Sequence, residues 1–543
     1  MKYSNELNYQ ADLLLVLREL QVNVGLRNAE TAYNFFHEKH CGIVDKHFPW
    51  ETLTRKQQEL EIKPWITKGI LTSIRIKAKL FRVFKNTKKT QDYAKYKFYR
   101  NTINSLTRKS KKQYLKEYFI KHANNLKKTW KGINNLLSRQ GKFKVSDIFL
   151  NIDGKIITDQ KIVVDKMNNY FINVADNLAQ KIPKPNTKYQ DYLKNPNRHS
   201  FYLTEIGPHE IDELIRELGN NKSGDIYGTT SNIVKLGGPV LTQILVHLFN
   251  QSLDQGIFPS ALKISKIIPI HKGDSLFEVS NYRPISLLPI FSKILEKLMY
   301  TRIIDFIKKY KILYENQFGF QKGLSTELAI NSLMYNIINC LENRDVGFCI
   351  FLDFAKAFDT VNHQILLDKL EYYGIRGVAQ TWFKSYLSNR MQCTEVGSIR
   401  SNLDYVKCGV PQGSILGPLL FLLYINDIVL SSKLCKFTLF ADDTSVFFTH
   451  KKKTEGAKIL NAELSKIAEW LAANKLSLNV SKSKLLIFNN KSSFINNNAV
   501  SPVATDHAED TPEDNNTHCD DSVTININGE LLEEVDHTWY SYG

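Results

Sequence analysis

The sequence predicts an α+β fold behind a basic helical region, and three observations predict it. The segment TLFADDTSVFF (Thr438–Phe448) reads as two strands rich in β-branched and aromatic residues, turning at a pair of aspartates. GFCIFLDFAKAFDTVNH (Gly347–His363) reads as a buried strand that ends at Asp353 and gives way to a helix. Between Glu51 and Gln140, apolar and aromatic residues recur at intervals of three and four, with Lys and Arg on the remaining faces.

The basic block comes first along the chain. It holds 24 Lys and Arg against 5 Asp and Glu, an excess of 19 that outweighs the +17 of the whole 543-residue chain. Such a block suits either a phosphate-backbone partner or a plain solvated helical surface. Its helical runs are WITKGILTSIRIKAKLFRVFK and then YAKYKF through NNLL. Tyr93, Tyr96, Tyr99 and Trp130, set between the cations, fit core packing better than base stacking. A Pro- and Asn-rich stretch ending near Ser200 reads as a linker. Patterned sequence then runs to about Asn490. The polar, acidic tail beyond it is expected to be disordered, apart from a short strand in VTININGELLEEVD.

Composition excludes several classes. At 43% hydrophobic and 23% charged residues, the chain can bury a sizeable core. Its seven cysteines show no C-x-x-C spacing, which argues against a disulfide scaffold and a cysteine zinc module. The H-x-x-H-C cluster of His37, His40 and Cys41 has no fourth ligand at finger spacing. The first residues contain no signal-like apolar run, and Pro418, Asn426 and Asp427 interrupt the longest apolar stretch. The expectation is therefore a protein that is intracellular, not secreted and not membrane-bound, with nucleus and cytoplasm both open.

The chemistry rests on carboxylates. Asp442 and Asp443 lie side by side at a hairpin tip with no neighbouring Lys or Arg, and their repulsion is relieved when a divalent cation sits between them. An ordinary acidic turn would look the same in isolation. A third carboxylate, Asp353 at a strand end, makes the set that two-metal phosphoryl transfer requires. Asp359, further into the expected helix, suits capping or pairing.

In order and spacing, these segments resemble the motifs of reverse transcriptases from non-LTR (LINE-type, jockey-like) retrotransposons. The resemblance rests on Asp353 followed by AKAFD, GVPQGSILGPLLFLLYINDI (Gly409–Ile428), FADDT (Phe440–Thr444), IIPIHKGDSLFEVSNYRPISLLP (Ile267–Pro289), NQFGFQKGLSTELA (Asn316–Ala329) and LSLNVSKSKLLIF (Leu476–Phe488). PWITKGI (Pro64–Ile70) is similar to the linker that precedes the polymerase in these elements.

The resemblance implies a right-hand polymerase, with fingers over 201–345 and a palm with an antiparallel sheet over 346–495. A basic helical region and linker (1–200) would precede them, and an acidic tail with a truncated strand (496–543) would follow. It implies RNA-directed DNA polymerase activity: two-metal transfer of a nucleotide from a dNTP to a primer 3′-hydroxyl on an RNA template. Mg²⁺ would serve in two sites, with Mn²⁺ able to substitute. Asp353, Asp442 and Asp443 match the catalytic, metal-binding aspartates, and Lys482 matches a lysine that protonates pyrophosphate, although Ser483 stands where the family usually has Thr. Phe358 matches the gate against a 2′-hydroxyl. Gln412 and Gly413 match the segment against the incoming nucleotide, and Lys272 and Arg283 the triphosphate grip. Gln321, Lys322 and Ser325 match the template-contacting loop.

Two departures accompany the matches. WYSYG stands where the family has K-[FY]-L-G, so the thumb is expected to be largely missing, and no endonuclease precedes the linker; the expectation is a chain truncated at both ends. The alternative reading is a catalytically inactive retrotransposon remnant that binds RNA. Another template-dependent polymerase fits less well. Phe358 and FADD argue against an RNA polymerase, and PWITKGI disfavours an intron maturase.

Overall fold

A computed structural model of the chain describes residues 3–49, 64–136, 148–152, 154–219, 224–489 and 524–535. They form two compact units, one comprising Met1–His47 with Ile148–Gly543 and the other Phe48–Asp147. Most of the acidic tail expected to be disordered lies outside the described residues.

The smaller unit is helical. Helix Lys68–Thr87 begins at Thr67, whose side chain accepts from the Ile70 N–H, and stops at Lys88, which has left-handed backbone. Helix Thr90–Lys121 then folds back along it. Phe84 meets Tyr93 at 5.0 Å between ring centroids and Phe81 meets Tyr96 at 5.1 Å, so the two helices run antiparallel. The helical run expected to continue unbroken is interrupted after Lys121 and resumes as Leu126–Leu136, with the Asn125 side chain accepting from Lys128 N–H. Tyr96 is half-buried, as packing requires, whereas Tyr93 stays 41% exposed and Trp130 59%.

In the larger unit, strands are numbered along the chain: β1 (Leu150–Ile152), β2 (Lys155–Ile157), β3 (Ile264–His271), β4 (Tyr282–Leu287), β5 (Val346–Leu352), β6 (Arg390–Val396) and β7 (Ile399–Arg400). They continue with β8 (Asp404–Val406), β9 (Lys436–Phe440), β10 (Asp443–His450), β11 (Lys484–Phe488), β12 (Asn526–Ile527), β13 (Glu530–Leu531) and β14 (Glu533–Glu534). One sheet has the order β14-β11-β5-β10-β9, antiparallel from β11 to β9, with β14 added parallel on the β11 edge. β5 is central and almost wholly buried, as its unbroken apolar run demands. A second sheet, β4-β3-β6-β7 with β8 also on β6, carries the segment that faces the site.

Helices back these sheets. Leu416–Ile425 is apolar on every side and therefore buried, between Ile290–Lys309 and His363–Tyr372. Beneath it lies an ion pair closed off from water: Lys369 Nζ is 2.5 Å from Asp427 and donates to the Tyr424 carbonyl, while Trp470 Nε1 donates to the other Asp427 oxygen. Burial pulls the Lys369 ammonium below its usual range, and Asp427 opposes that fall. The stretch expected to be a linker is seated on this unit, since Tyr189 donates to Asp368 and Arg376 to the Asn197 carbonyl. No described helix is long and apolar enough to cross a membrane.

Candidate active site

The site forms at one end of the β5–β10–β9 hairpin system. β9 and β10 pair with Phe440 opposite Asp443, leaving Ala441 and Asp442 as a two-residue turn. Such turns need a positive φ, and Ala441 supplies it at +59°. On the other side of β10, Thr444 pairs with Leu352, so Asp353 falls one step beyond, opposite Asp443. Side chains alternate across a strand, so these two carboxylates share the face opposite buried Leu352 and Thr444. Opposite residues in such ladders have Cα atoms roughly 4.5–5.5 Å apart. All three aspartates thus gather at one sheet end, with Asp443 opening β10 rather than lying in the turn.

Two clamps fix these positions, and neither was legible in the sequence. The Ser483 hydroxyl, buried, accepts from the Asp353 N–H at 3.2 Å, while Asn479 N–H donates to the Asp353 carbonyl at 2.8 Å. On the far edge, Asn316–Phe320 runs along β9: Phe318 N–H donates to the Leu439 carbonyl and Leu439 N–H to the Asn316 carbonyl. From there the Gln317 side chain reaches the aspartate turn, accepting the Ala441 N–H at 3.0 Å.

Electrostatics follow from the crowding. Burial and the neighbouring Asp353 charge raise the Asp442 carboxyl above the usual range, offset in part by Arg283 and Lys272. Burial, Asp442 and Asp353 raise Asp443. A cluster of hard oxygen donors that resists carrying its own charge suits a divalent cation. The carboxylates do not form a closed chelate, for among the described residues no three acidic, imidazole or thiol groups are set to hold an ion.

Around the carboxylates lies the segment expected to meet a nucleotide. The turn after Asp353 is tighter than predicted: Lys356 is left-handed, and the helix starts only at His363, where the Asn362 side chain caps it. Asp359 therefore lies in the turn, where its carboxylate accepts from Gln412 Nε2 at 2.8 Å. Burial pushes that carboxyl up to about 6, against the pull of Gln412 and Lys356. The Gln412 carbonyl in turn accepts from Ser286 N–H on β4 at 2.7 Å. Gly413 has φ +117°, and a Cβ there would stand 2.7 Å from the Ser286 carbonyl oxygen, so only glycine fits. The Phe358 ring stacks on Phe421 at 4.6 Å and meets Phe320 edge-on at 6.1 Å.

Lys272, Arg283 and Lys482 are exposed. The first two act on the Asp442 charge. Lys356, which the sequence reading passed over, is half-buried and donates to the Ser280 carbonyl. Burial lowers its ammonium, and Lys272, Arg283 and Lys482 lower it further, so four cations stand near one another. Of the residues expected to touch template, Gln321 donates to the Gln317 carbonyl, Lys322 is exposed, and the exposed Ser325 caps helix Thr326–Glu342.

Comparison with known proteins bears on this geometry. Residues 270–511 match the family described as reverse transcriptase (RNA-dependent DNA polymerase). The chain is 30% identical over 306 residues to the probable RNA-directed DNA polymerase from transposon BS of Drosophila melanogaster, covering 54% of this chain and 33% of that protein. It is 29% identical over 332 residues to the polymerase from mobile element jockey of the same species, covering 58% and 36%. With the X-element polymerase of that species it shares 31% over 312 residues, 55% and 33% of the two chains. The chain spans about a third of the length of these curated relatives. Members of the family generally use divalent metal ions. The sheet end with its three aspartates falls within the residues that match the reverse transcriptase family, and over that region the chain is similar to the RNA-directed DNA polymerases of jockey-type mobile elements.

Proposed function

We propose that the chain is the polymerase part of a non-LTR retrotransposon RNA-directed DNA polymerase, extending a DNA primer on an RNA template with dNTPs. One observation supports this reading above the others: the β5–β10 register sets Asp353 opposite Asp443, beside a turn carrying Asp442. In this reading residues 201–345 are the fingers and 346–495 the palm.

Asp353, Asp442 and Asp443 would hold two Mg²⁺ ions, or Mn²⁺ in their place. Bound there, the ions would activate the primer hydroxyl and neutralise charge on the triphosphate. The chain's own groups do the rest. Arg283, Lys272 and Lys356 draw in the triphosphate, Arg283 with a fork that suits phosphate oxygens. Gln412, held by Asp359, and the backbone at Gly413 present a wall to the nucleotide. The Phe358 ring, fixed between Phe421 and Phe320, blocks a 2′-hydroxyl. As the primer 3′-hydroxyl loses its proton to solvent water and its oxygen bonds to the α-phosphorus, the bond to pyrophosphate breaks, and Lys482 Nζ gives a proton to the leaving group. The basic unit, with cations outward and Trp130 exposed, would grip template RNA through its phosphates.

The test is Mg²⁺-dependent extension of a DNA primer on an RNA template. Wild type extends it, and Asp442→Ala falls by at least ~100-fold. Equal extension by both proteins contradicts the catalytic assignment. If neither extends while both bind RNA with steep salt dependence, the chain is an RNA-binding remnant.

A further inference from the structure

Beside the aspartate turn lies a side chain with no assigned role. Gln317 is 1% exposed, and its Oε1 accepts two backbone N–H groups, from Gly319 at 2.9 Å and from Ala441 at 3.0 Å. Its carbonyl is taken by Gln321, at the start of the loop expected to meet template. Ala441 carries the strain of the turn: a left-handed φ is unfavourable for an L-residue, and a buried N–H left unpaired there would add to that cost. The fit is close, because a Cβ at Gly319 would stand 2.3 Å from the Ala441 nitrogen. Gly319 therefore lets Asn316–Phe320 lie flush on the turn, and Gln317 ties the two together.

We infer that Gln317 is a positioning residue for the metal-binding turn: by accepting the Ala441 N–H it holds Asp442 and Asp443 in place for the ions. The inference rests on the polymerase reading above. It does not require Gln317 to touch substrate or metal. It requires an acceptor at the end of this side chain, of this length.

Three substitutions separate that role from packing. Gln317→Met keeps length and loses the acceptor. Gln317→Glu keeps an acceptor whether protonated or ionised. Gln317→Asn keeps the amide but is one methylene too short to reach both N–H groups. The readout is Mn²⁺ binding to the full chain, followed by electron paramagnetic resonance, with Asp442→Ala defining the fraction that belongs to the site. Thermal melting reports whether each variant folds.

Gln317→Met should weaken the Asp442-dependent Mn²⁺ affinity by ~10-fold or more, the size typical when a group orienting a metal ligand is lost. Gln317→Glu should restore affinity to near wild type. Wild-type affinity in Gln317→Met overturns the inference, as does a Gln317→Glu as weak as Gln317→Met. If Gln317→Met does not fold, Gln317→Asn takes its place, with wild-type affinity again overturning the inference. If wild type has no Asp442-dependent Mn²⁺ binding, the polymerase reading fails first and takes this inference with it.

Discussion

Asp359 shows how the environment of one residue sets its chemistry. Its carboxylate is needed as an acceptor for Gln412 Nε2, yet burial makes its charge unwelcome and lifts its pKa from the ordinary 3.8 to about 6. A carboxyl whose folded-state pKa is raised contributes stability below its unfolded value, and that contribution is lost as pH rises through about 6. Asparagine keeps the acceptor without the charge. Asp359→Asn should therefore stabilise the protein at pH 8 by on the order of 3 kcal/mol, and the gain should shrink to under about 1 kcal/mol by pH 4. Urea unfolding at the two values checks this, and an equal gain at both would remove burial of charge as the cause. The three aspartates were legible in the sequence because chemistry, order and spacing mark them together. Gln317 and Ser483 were not, because each acts on a partner brought near only by folding, 124 and 130 residues away.

Pairing between elements decides what the site can hold. β10 was readable as a strand from its β-branched and aromatic run, but its register against β5, which places Asp353 opposite Asp443, is a property of two strands together. The turn after Asp353 was misjudged as helix because apolar spacing alone does not reveal a left-handed Lys356 or an Asn362 cap. The same holds for Gln412–Gly413, whose position depends on β4: the Ser286 N–H donates to the Gln412 carbonyl, and the Ser286 carbonyl leaves no room for a Cβ at Gly413. Gly413→Ala, strained both by its φ of +117° and by this contact, should lose about 1–3 kcal/mol of stability. Denaturant unfolding reads that loss, and an alanine variant as stable as wild type would mean that β4 does not press on this segment.

Across the whole molecule, charge and shape are separated. The cationic excess lies in a helical unit whose two long helices bury only Ile103, while the carboxylates lie in the larger unit at the end of a sheet whose central strand is fully apolar. Composition announced the first and the aspartate motifs announced the second. The division of the N-terminal region into helices 3–47, packed on Gly238–Gln255, and a separate unit 48–147 could not be read, because both parts are helical and only tertiary contacts tell them apart. The central claim is that the larger unit brings Asp353, Asp442 and Asp443 to one shared pair of ions. Anomalous diffraction from crystals grown with Mn²⁺, primer–template and a dNTP tests it most directly. Two peaks roughly 3.5–4 Å apart, both between the Asp353 and Asp442 carboxylates, are the predicted result. Peaks elsewhere, or none at saturating Mn²⁺, would contradict it.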